Sequence, residues 1–277
     1  MKKHIILIVL SIVLVGCGAS KDLPETIGDP KNAVSFGYQP IDPLPVKIAY
    51  PTKKMRDSLV AINKVNSYIM STLPDETMRL AIGQIDTKGE ISFASAKTGY
   101  AGSSYIVILD YIKFDTKSLE VQIAKDEKGN LVDFRPFINN YDGKSIPDGI
   151  IPMYVGVGLR FTATITVNEG KVDLGNLFAL GLAAESKKVT GTLLIQTLGI
   201  SGKDISSLIP MPSQINTTTI QNAIMSLAAI KAKIYENEID INPRVVGFYN
   251  NIGGGQNTVH KLISGVLSQG VVHKLSE

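Results

Sequence analysis

The 277-residue chain carries 28 lysine and arginine residues against 25 aspartate and glutamate residues, a formal net charge of +3. This charge is small, and no basic stripe with interleaved aromatic residues runs through the sequence, so a nucleic-acid partner is not expected. The 44% hydrophobic and 19% charged residues indicate a globular protein with an ordinary core, and the absence of tryptophan disfavours a stacking platform for carbohydrate rings.

The N-terminus predicts a cleaved export signal. Lys2 and Lys3 precede an apolar run over residues 5–15 that is broken only by Ser11. The run is too short for a permanent membrane-spanning helix, which needs roughly 20 residues. Residues 1–16 are therefore predicted to be a signal peptide.

The end of this segment, Leu14-Val15-Gly16-Cys17, resembles the lipobox of bacterial lipoproteins. The resemblance implies that Cys17 is acylated, with palmitate among its fatty-acid chains, and becomes the first residue of the mature protein. Cys17 is also the single cysteine of the chain, so an internal disulfide is excluded. More than one acyl chain gives stable membrane anchoring. Gly18 stands where an aspartate often marks inner-membrane retention, which favours the outer membrane in an organism with two membranes.

A lipidated tether is predicted over residues 17–45, because prolines recur there with few periodic apolar residues. The globular domain is predicted to span residues 46–277. It is expected to begin with a short strand at 46–50 and one helix that starts at Pro51 and Thr52. Apolar residues recur at helical spacing from Met55 to Leu73 until Pro74 ends the pattern.

Alternating apolar residues then predict an antiparallel meander of about five strands between residues 77 and 134. Its turns are predicted at residues 86–89, where Gly89 is available for the left-handed position, and at residues 126–130. Residues 105–114 are apolar on both faces, which predicts a central strand. The polar loop at 136–152 is the best candidate for a subdomain boundary.

The clearest strand of the sequence spans residues 155–167. Apolar residues occupy one of its faces, whereas glycine, threonine and Arg160 occupy the other. A second strand at 189–198 completes a long hairpin. The favoured interpretation of the glycine and threonine face is a solvated surface that packs on a helix through its small residues. The alternative is that hairpins from several subunits assemble in or across the envelope.

Two amphipathic helices are predicted near the C-terminus. The first runs from residue 216 or 217 to 235, and the second follows the glycines at 253–255. Between them, residues 239–249 predict an edge strand interrupted by Pro243. The whole pattern predicts an α+β fold, with a mainly antiparallel sheet, a meander plus a long hairpin, packed with amphipathic helices.

The sequence contains no recognisable catalytic or cofactor motif. A Gly-x-Ser-x-Gly elbow, a Ser-x-x-Lys motif, a phosphate loop and a dinucleotide fingerprint are all absent, so neither a catalytic residue nor a cofactor is assigned. His260 and His273 lack a third ligand nearby, so no metal site is expected. Both histidines are predicted to be surface residues of a helix.

One charged pair is a candidate functional site. Asp110 lies within the apolar run 106–112, and Arg160 is the single charge among small and hydroxyl residues on its strand face. A buried carboxylate needs a partner or a raised pKa, and Arg160 is a conceivable partner. The stronger expectation, from the usual preference of charges for the surface, is that each side chain points toward solvent.

Taken with the lipid anchor, these features predict a cell-envelope protein with a non-enzymatic binding or assembly role. Its partners would be the membrane, reached through Cys17, and proteins of a membrane-associated complex. Two alternatives stay open. One is an envelope hydrolase with a carboxylate-based site, and the other is an oligomeric pore or secretion-channel subunit.

Overall fold

The computed structural model describes residues 37–89, 91–94, 103–129, 131–137, 146–180, 186–234, 236, 239–250 and 256–275. The predicted signal peptide, Cys17 and most of the predicted tether lie outside these residues. Among the residues that it describes, no helix is both long enough and apolar enough to cross a membrane.

The described chain combines helices with a large, mostly antiparallel sheet, in agreement with the predicted α+β class. In chain order the elements are β1 (Gly37–Ala49), α1 (Lys53–Ala61), α2 (Val65–Ser71), β2 (Asp75–Ile85), β3 (Ile91–Ala94), β4 (Ser104–Lys125), β5 (Leu131–Pro136), β6 (Gly149–Val167), α3 (Leu174–Leu180), β7 (Val189–Leu198), β8 (Ile200–Ser201), α4 (Lys203–Leu208), β9 (Ser213–Gln214), α5 (Thr217–Lys233), β10 (Asp240–Ile241), β11 (Arg244–Asn250), α6 (Gln256–Gln269) and β12 (Val271–Lys274).

The two longest strands, β4 and β6, form the centre of the sheet. They pair antiparallel from Ser104 opposite Thr166 to Val121 opposite Gly149. Around them the strand order is β12-β1-β11-β6-β4-β2-β3, while β5 pairs with β4 and β7 pairs with β6 and β9. The segment 136–152 therefore connects two strands that both pair with β4, and its last residues already belong to β6.

Strand β6 changes partner near its middle. It pairs with β11 as far as Gly156 and with β7 from Gly158 onward. A Cβ atom at Gly158 would lie 1.9 Å from the carbonyl oxygen of Tyr111, and one at Gly156 would lie 2.1 Å from that of Lys113. Both oxygens belong to β4, so glycine allows a close approach of two strand backbones here. The predicted role of these glycines, packing on a helix, is wrong.

The odd-numbered residues of β6 contact three core clusters in succession. Those within 151–155 share a cluster with Leu262 and Val266 of α6. Those within 157–159 share one with α2 and α4, and those within 161–167 share one with α3 and α5. The three clusters therefore lie on one side of β6. The even-numbered residues of β6 point to the opposite face.

Residues 53–73 form two helices, α1 and α2, rather than the single helix predicted. Helix α1 begins after Thr52, whose side chain caps it, and ends at Ala61, with Ile62 as its C-cap. Asn63 then has a φ of 51°, a left-handed conformation that interrupts the helix and that asparagine adopts more readily than most residues. The apolar spacing continues across this break, which explains why periodicity alone predicted one helix.

Residues 37–45, predicted to belong to the tether, are part of β1. The strand pairs with β11 in two segments, separated by a register shift between Pro40 and Leu44. Proline is tolerated at such irregular positions because no ladder N–H is required there. Strand β11 is likewise interior and not the predicted edge strand, since β1 and β6 flank it. Pro243 does not prevent this because it precedes the strand.

Predicted turns and caps are confirmed where the structure describes them. Gly89 and Gly129 have φ values of 81° and 83°, the left-handed conformation expected in the turns between β2 and β3 and between β4 and β5. Helix α5 begins with a capping box, in which the Asn216 side chain accepts from the Thr219 N–H and the Thr219 side chain accepts from the Asn216 N–H. The second C-terminal helix is present as α6.

Candidate functional site

Three charged residues lie side by side across the centre of the sheet. Arg79 of β2 is opposite Asp110 of β4, and Asp110 is opposite Arg160 of β6. Residues directly opposite each other in paired strands point to the same face, so the three side chains rise together from the face opposite the three core clusters. We call Arg79, Asp110 and Arg160 the charged row.

Asp110 and Arg160 form a buried two-point ion pair. The Nε atom of Arg160 donates to Oδ1 of Asp110 at 2.7 Å, and Nη2 donates to Oδ2 at 2.6 Å. Asp110 is 0% exposed and Arg160 is 3% exposed. The expectation that each side chain points toward solvent is therefore wrong. The alternative, in which Arg160 is the partner of Asp110, is the arrangement that the structure shows. Whether the pair has a function stays a hypothesis.

Groups from β1 and β11 complete the bonding of this pair. Nη1 of Arg160 donates to the carbonyl oxygen of Ile41 at 2.6 Å, and Nη2 donates to that of Val246 at 2.9 Å. The hydroxyl of Tyr38 donates to Oδ2 of Asp110. Because these groups come from strands beyond β6, the sheet curls over its own face at this point. That curl, which the sequence does not reveal, explains the burial of both charges.

The surroundings keep the donors of this network protonated. Burial opposes the charged form of Arg160, but the hydrogen bonds and charge of Asp110 outweigh it and raise the arginine pKa. Burial, followed by the charge of Asp110, raises the pKa of Tyr38 well above its ordinary value. At neutral pH Arg160 is therefore charged and the Tyr38 hydroxyl is a donor.

Arg79 is held quite differently from Arg160. Its guanidinium carbon lies 5.4 Å from the centre of the Tyr154 ring, and its Nε atom is buried without a hydrogen-bond partner. Tyr154 in turn packs edge-to-face against Tyr38 and Phe114, with ring centres 5.4 and 4.9 Å apart. The Arg79 side chain as a whole is partly exposed. The charged row thus joins a closed ion pair to an arginine at the surface.

Farther along the same sheet face, hydroxyl groups are exposed. Thr164 and Thr166 of β6 lie opposite Thr192 and Thr190 of β7, and all four residues are exposed. We call these four residues the threonine face. Their exposure confirms that this half of the glycine and threonine face is solvated. Assembly through it with other subunits stays a hypothesis.

A second polar cluster surrounds His273. Its Nε2 atom lies 2.8 Å from Oγ1 of Thr72, and its Nδ1 atom lies 3.6 Å from Oδ2 of Asp115, which also pairs with Lys117. The Thr72 hydroxyl, the His273 imidazole and the Asp115 carboxylate thus follow one another in the order of a nucleophile, a base and an acid. However, Nδ1 has no hydrogen bond, and the Thr72 hydroxyl donates to the carbonyl oxygen of Ile69. The cluster therefore lacks the bonded chain that activates a nucleophile.

The prediction that both histidines are surface helix residues is half wrong. His260 lies on α6 and is exposed, as predicted. His273 lies in β12 and is 1% exposed. Val271, His273 and Leu275 are buried while the residues between them are exposed, which is the alternation of a strand. So short a segment gives too little periodicity to distinguish a strand from the end of a helix.

His273 should make the stability of the protein depend on pH. Burial, followed by the charge of Lys117, lowers the pKa of His273, whereas Asp115 opposes this. The unfolded chain therefore binds the proton at a higher pH than the folded chain. The contribution of neutral His273 to the free energy of unfolding is complete above the unfolded pKa of about 6.5. It is lost as the pH falls through the lower folded pKa, and the free energy of unfolding decreases by at most about 1.4 kcal/mol per pH unit.

The variant His273→Gln tests this expectation. Wild-type protein should lose more free energy of unfolding than His273→Gln between about pH 7.5 and about pH 5.5, measured by urea denaturation. The variant His260→Gln, which changes an exposed histidine, should keep the wild-type pH dependence. Equal pH dependence in wild type and His273→Gln would contradict the assignment.

A third polar cluster fastens α5 to the sheet. The Tyr111 hydroxyl donates to Oε1 of Glu76 at 2.5 Å, and Nζ of Lys231 pairs with the same oxygen. Lys231 also lies 4.9 Å from the centre of the Tyr111 ring. Burial, followed by the bond to Glu76, raises the pKa of Tyr111 to about 12. These bonded groups stabilise the position of a helix, and both contacts to the Glu76 carboxylate go to Oε1.

A cleft of about 340 Å³ lies beside the β4–β5 hairpin. Its carboxylates are engaged, since Asp148 accepts from the Ile123 N–H at 2.9 Å and Asp133 accepts from Lys261. In the ranges that the structure describes, no group of three or more His, Cys, Asp or Glu residues is placed to hold a metal ion. The cleft is lined by Gln122, Ile123, Ala124, Asp133, Phe134, Arg135 and Asp148.

Sequence reasoning identified Asp110 and Arg160 but missed Arg79 and Tyr38, which lie in the same cluster. Arg79 could have been found only with the register of β2 on β4. Tyr38 falls in the segment predicted to be tether.

No protein-family model, curated protein or solved structure matches this chain. The function must therefore be inferred from the geometry of the site.

Proposed function

We propose that this chain is a lipid-anchored cell-envelope protein whose sheet domain has a non-enzymatic binding or assembly role in a membrane-associated complex. The run of residues 14–17, with its lipobox-like pattern, supports the anchor. Acylated Cys17 would hold the domain at the membrane, which is the outer membrane in an organism with two.

The observation that supports a non-enzymatic role is that both carboxylate oxygens of Asp110 are already hydrogen-bonded within the protein. A carboxylate-based hydrolase needs carboxyl groups that are free to attack the substrate or to transfer a proton. Both oxygens of Asp110 accept bonds from Arg160, and one of them also accepts from Tyr38. With no exposed surface, this carboxylate is shielded from any substrate. The hydrolase alternative thereby loses its best candidate residue.

The open part of the same sheet face supports a binding role. Arg79 and the threonine face present a cation and hydroxyl groups toward solvent. Hydroxyl groups donate and accept hydrogen bonds, and arginine binds anions without acting as a proton donor, since it stays protonated in proteins. Such groups recognise a partner more readily than they perform acid–base chemistry.

We also propose that the fold is a meander followed by a long hairpin, with amphipathic helices packed on the sheet. The pairing of β2 with β3 and β4 supports the meander. The pairing of β6 with β7 from Gly158 to Val167 supports the hairpin. The clusters shared by α5 and α6 with the strands support the helix packing.

Fractionation and native mass test the proposed function. The wild-type chain should sediment with membranes and require detergent, whereas Cys17→Ser should remain in the soluble fraction. The variant Ser20→Ala, outside the motif, should fractionate as wild type. After detergent extraction, the native protein should have the mass of a complex with other proteins.

The two readouts contradict different parts of the proposal. A Cys17→Ser variant that stays attached through a lipid signal would refute the anchor. A bare monomer in detergent would refute the assembly role and would favour ligand binding or hydrolysis. Ring-shaped particles of identical subunits would instead favour the pore or secretion-channel alternative.

A further inference from the structure

The charged row carries one more positive than negative charge. Asp110 and Arg160 neutralise each other at 2.6 Å, and the carboxylate oxygens are occupied by bonds from Arg160 and Tyr38. Among the residues that the structure describes, Arg79 has no ion-pair partner. Because arginine does not lose its proton in proteins, the surplus charge persists at every relevant pH.

The Nε atom of Arg79 is a buried donor without an acceptor. Such groups are uncommon in native proteins, since burying an unpaired donor of a charged group is costly, and each one calls for an explanation. Neighbouring Arg160 illustrates the usual solution, because its three nitrogen atoms donate to oxygen atoms at 2.6 to 2.9 Å. Oxygen acceptors are therefore what Arg79 lacks.

Aromatic rings hold Arg79 in place without using its hydrogen-bonding capacity. Its guanidinium lies over the ring of Tyr154, which Tyr38 and Phe114 support from the side. A guanidinium that lies over an aromatic ring keeps its in-plane N–H groups available for two parallel bonds to an oxyanion. Burial raises the pKa of Tyr154, so this hydroxyl is also a protonated group at neutral pH.

We propose that Arg79 binds an oxyanion, a carboxylate or phosphate group, of an external ligand at the surface end of the charged row. The ligand oxygens bind the terminal Nη groups at the partly exposed end of the Arg79 side chain, because its Nε atom is buried. This inference rests on the proposed binding role, for which it names the ligand chemistry, but it does not depend on the lipid anchor.

Titration of the full chain, extracted in detergent, with inorganic phosphate or with acetate tests the proposal. Sodium chloride keeps the ionic strength constant. In ¹H–¹⁵N spectra of arginine Nε–H groups, the resonance that is missing from Arg79→Met should shift and saturate with at least one of the two anions. Tighter binding of phosphate would identify a phosphate ligand, and tighter binding of acetate a carboxylate ligand.

Arg56 provides a matched control. Its guanidinium lies 6.0 Å from the centre of the Tyr50 ring, so it makes a similar arginine–tyrosine contact, yet it is exposed and lies outside the charged row. The variant Arg56→Met should bind the anion as wild type does. Arg79→Lys, which keeps the charge but loses the planar fork, should weaken binding roughly tenfold or more.

Thermal unfolding separates binding from a purely structural role. Without added phosphate or acetate, Arg79→Met should unfold at the same temperature as wild type or a higher one, since it no longer buries an unpaired donor. Wild type should gain thermal stability with the bound anion, whereas Arg79→Met should not. The absence of a saturable response to both anions, or an undiminished response in Arg79→Met, would overturn the proposal. Fractionation and native mass would be unaffected, so a failure here is distinguishable from a failure of the proposed function.

Discussion

Replacement of Asp110 by alanine is expected to lower the free energy of unfolding by about 3–5 kcal/mol. The variant leaves Arg160, only 3% exposed, as a buried charge without a counter-charge. The carbonyl oxygens of Ile41 and Val246 would still accept from its guanidinium, but they carry no full charge. Urea denaturation of the wild-type and variant proteins measures the loss.

A double variant distinguishes the burial of a lone charge from the loss of a favourable pair. Asp110→Ala combined with Arg160→Met removes both charges, and apolar replacement of a buried pair is often neutral or even stabilising. The double variant should therefore be more stable than Asp110→Ala alone. If it is less stable, the ion pair itself supplies net stability, and the explanation by a stranded charge is wrong.

Asp133 is a suitable control for the same experiment. It also lies on a strand and pairs with a lysine, Lys261, but its side chain is 52% exposed. Pairs in this setting contribute about 0–1 kcal/mol, so Asp133→Ala should change stability little. A similar loss for Asp110→Ala and Asp133→Ala would mean that water reaches the buried pair.

Replacement of Phe248 by alanine is expected to cost about 3–5 kcal/mol, because it leaves a cavity in a fully buried cluster. Phe248, on β11, is 0% exposed and shares this cluster with Leu262 and Val266 of α6. The loss of contacts should reach the helix. Hydrogen exchange should therefore show lower protection of the α6 amides, along with the lower free energy of unfolding.

The next residue in the chain supplies the control for this variant. Tyr249 lies on the same strand but is 47% exposed. Tyr249→Ala removes a ring of similar size without opening a buried cavity, so its cost should be much smaller than that of Phe248→Ala. Equal losses for the two variants would show that β11 is not anchored through the cluster beneath it.

Local elements of this fold could be predicted from the sequence because their causes are local. Gly89 and Gly129 mark turns that require a left-handed residue, and Asn216 marks a helix start through its own side chain. Alternation of apolar residues likewise identified strands of the sheet. Each of these signals depends on residues within one or two turns of the chain, so no knowledge of the tertiary structure was needed.

The candidate site could not be predicted in the same way because its cause is long-range. The environment of Asp110 depends on the register of β2, β4 and β6 and on the curl that brings Tyr38 and Val246 over it. A one-residue change of register would place the carboxylate on the other face of the sheet. Single-residue preferences therefore favoured solvent for Asp110, and tertiary structure overrode them.

Strand β6 has a further consequence for how the domain opens. Its odd-numbered residues contribute to all three core clusters, and its backbone hydrogen bonds to β4 extend along nearly all of its length. The loss of any one cluster would expose part of β6 and weaken the β4–β6 hydrogen bonds on which the other two clusters depend. One part of the domain is therefore not expected to unfold while the rest stays folded, and the domain should denature as a single cooperative unit.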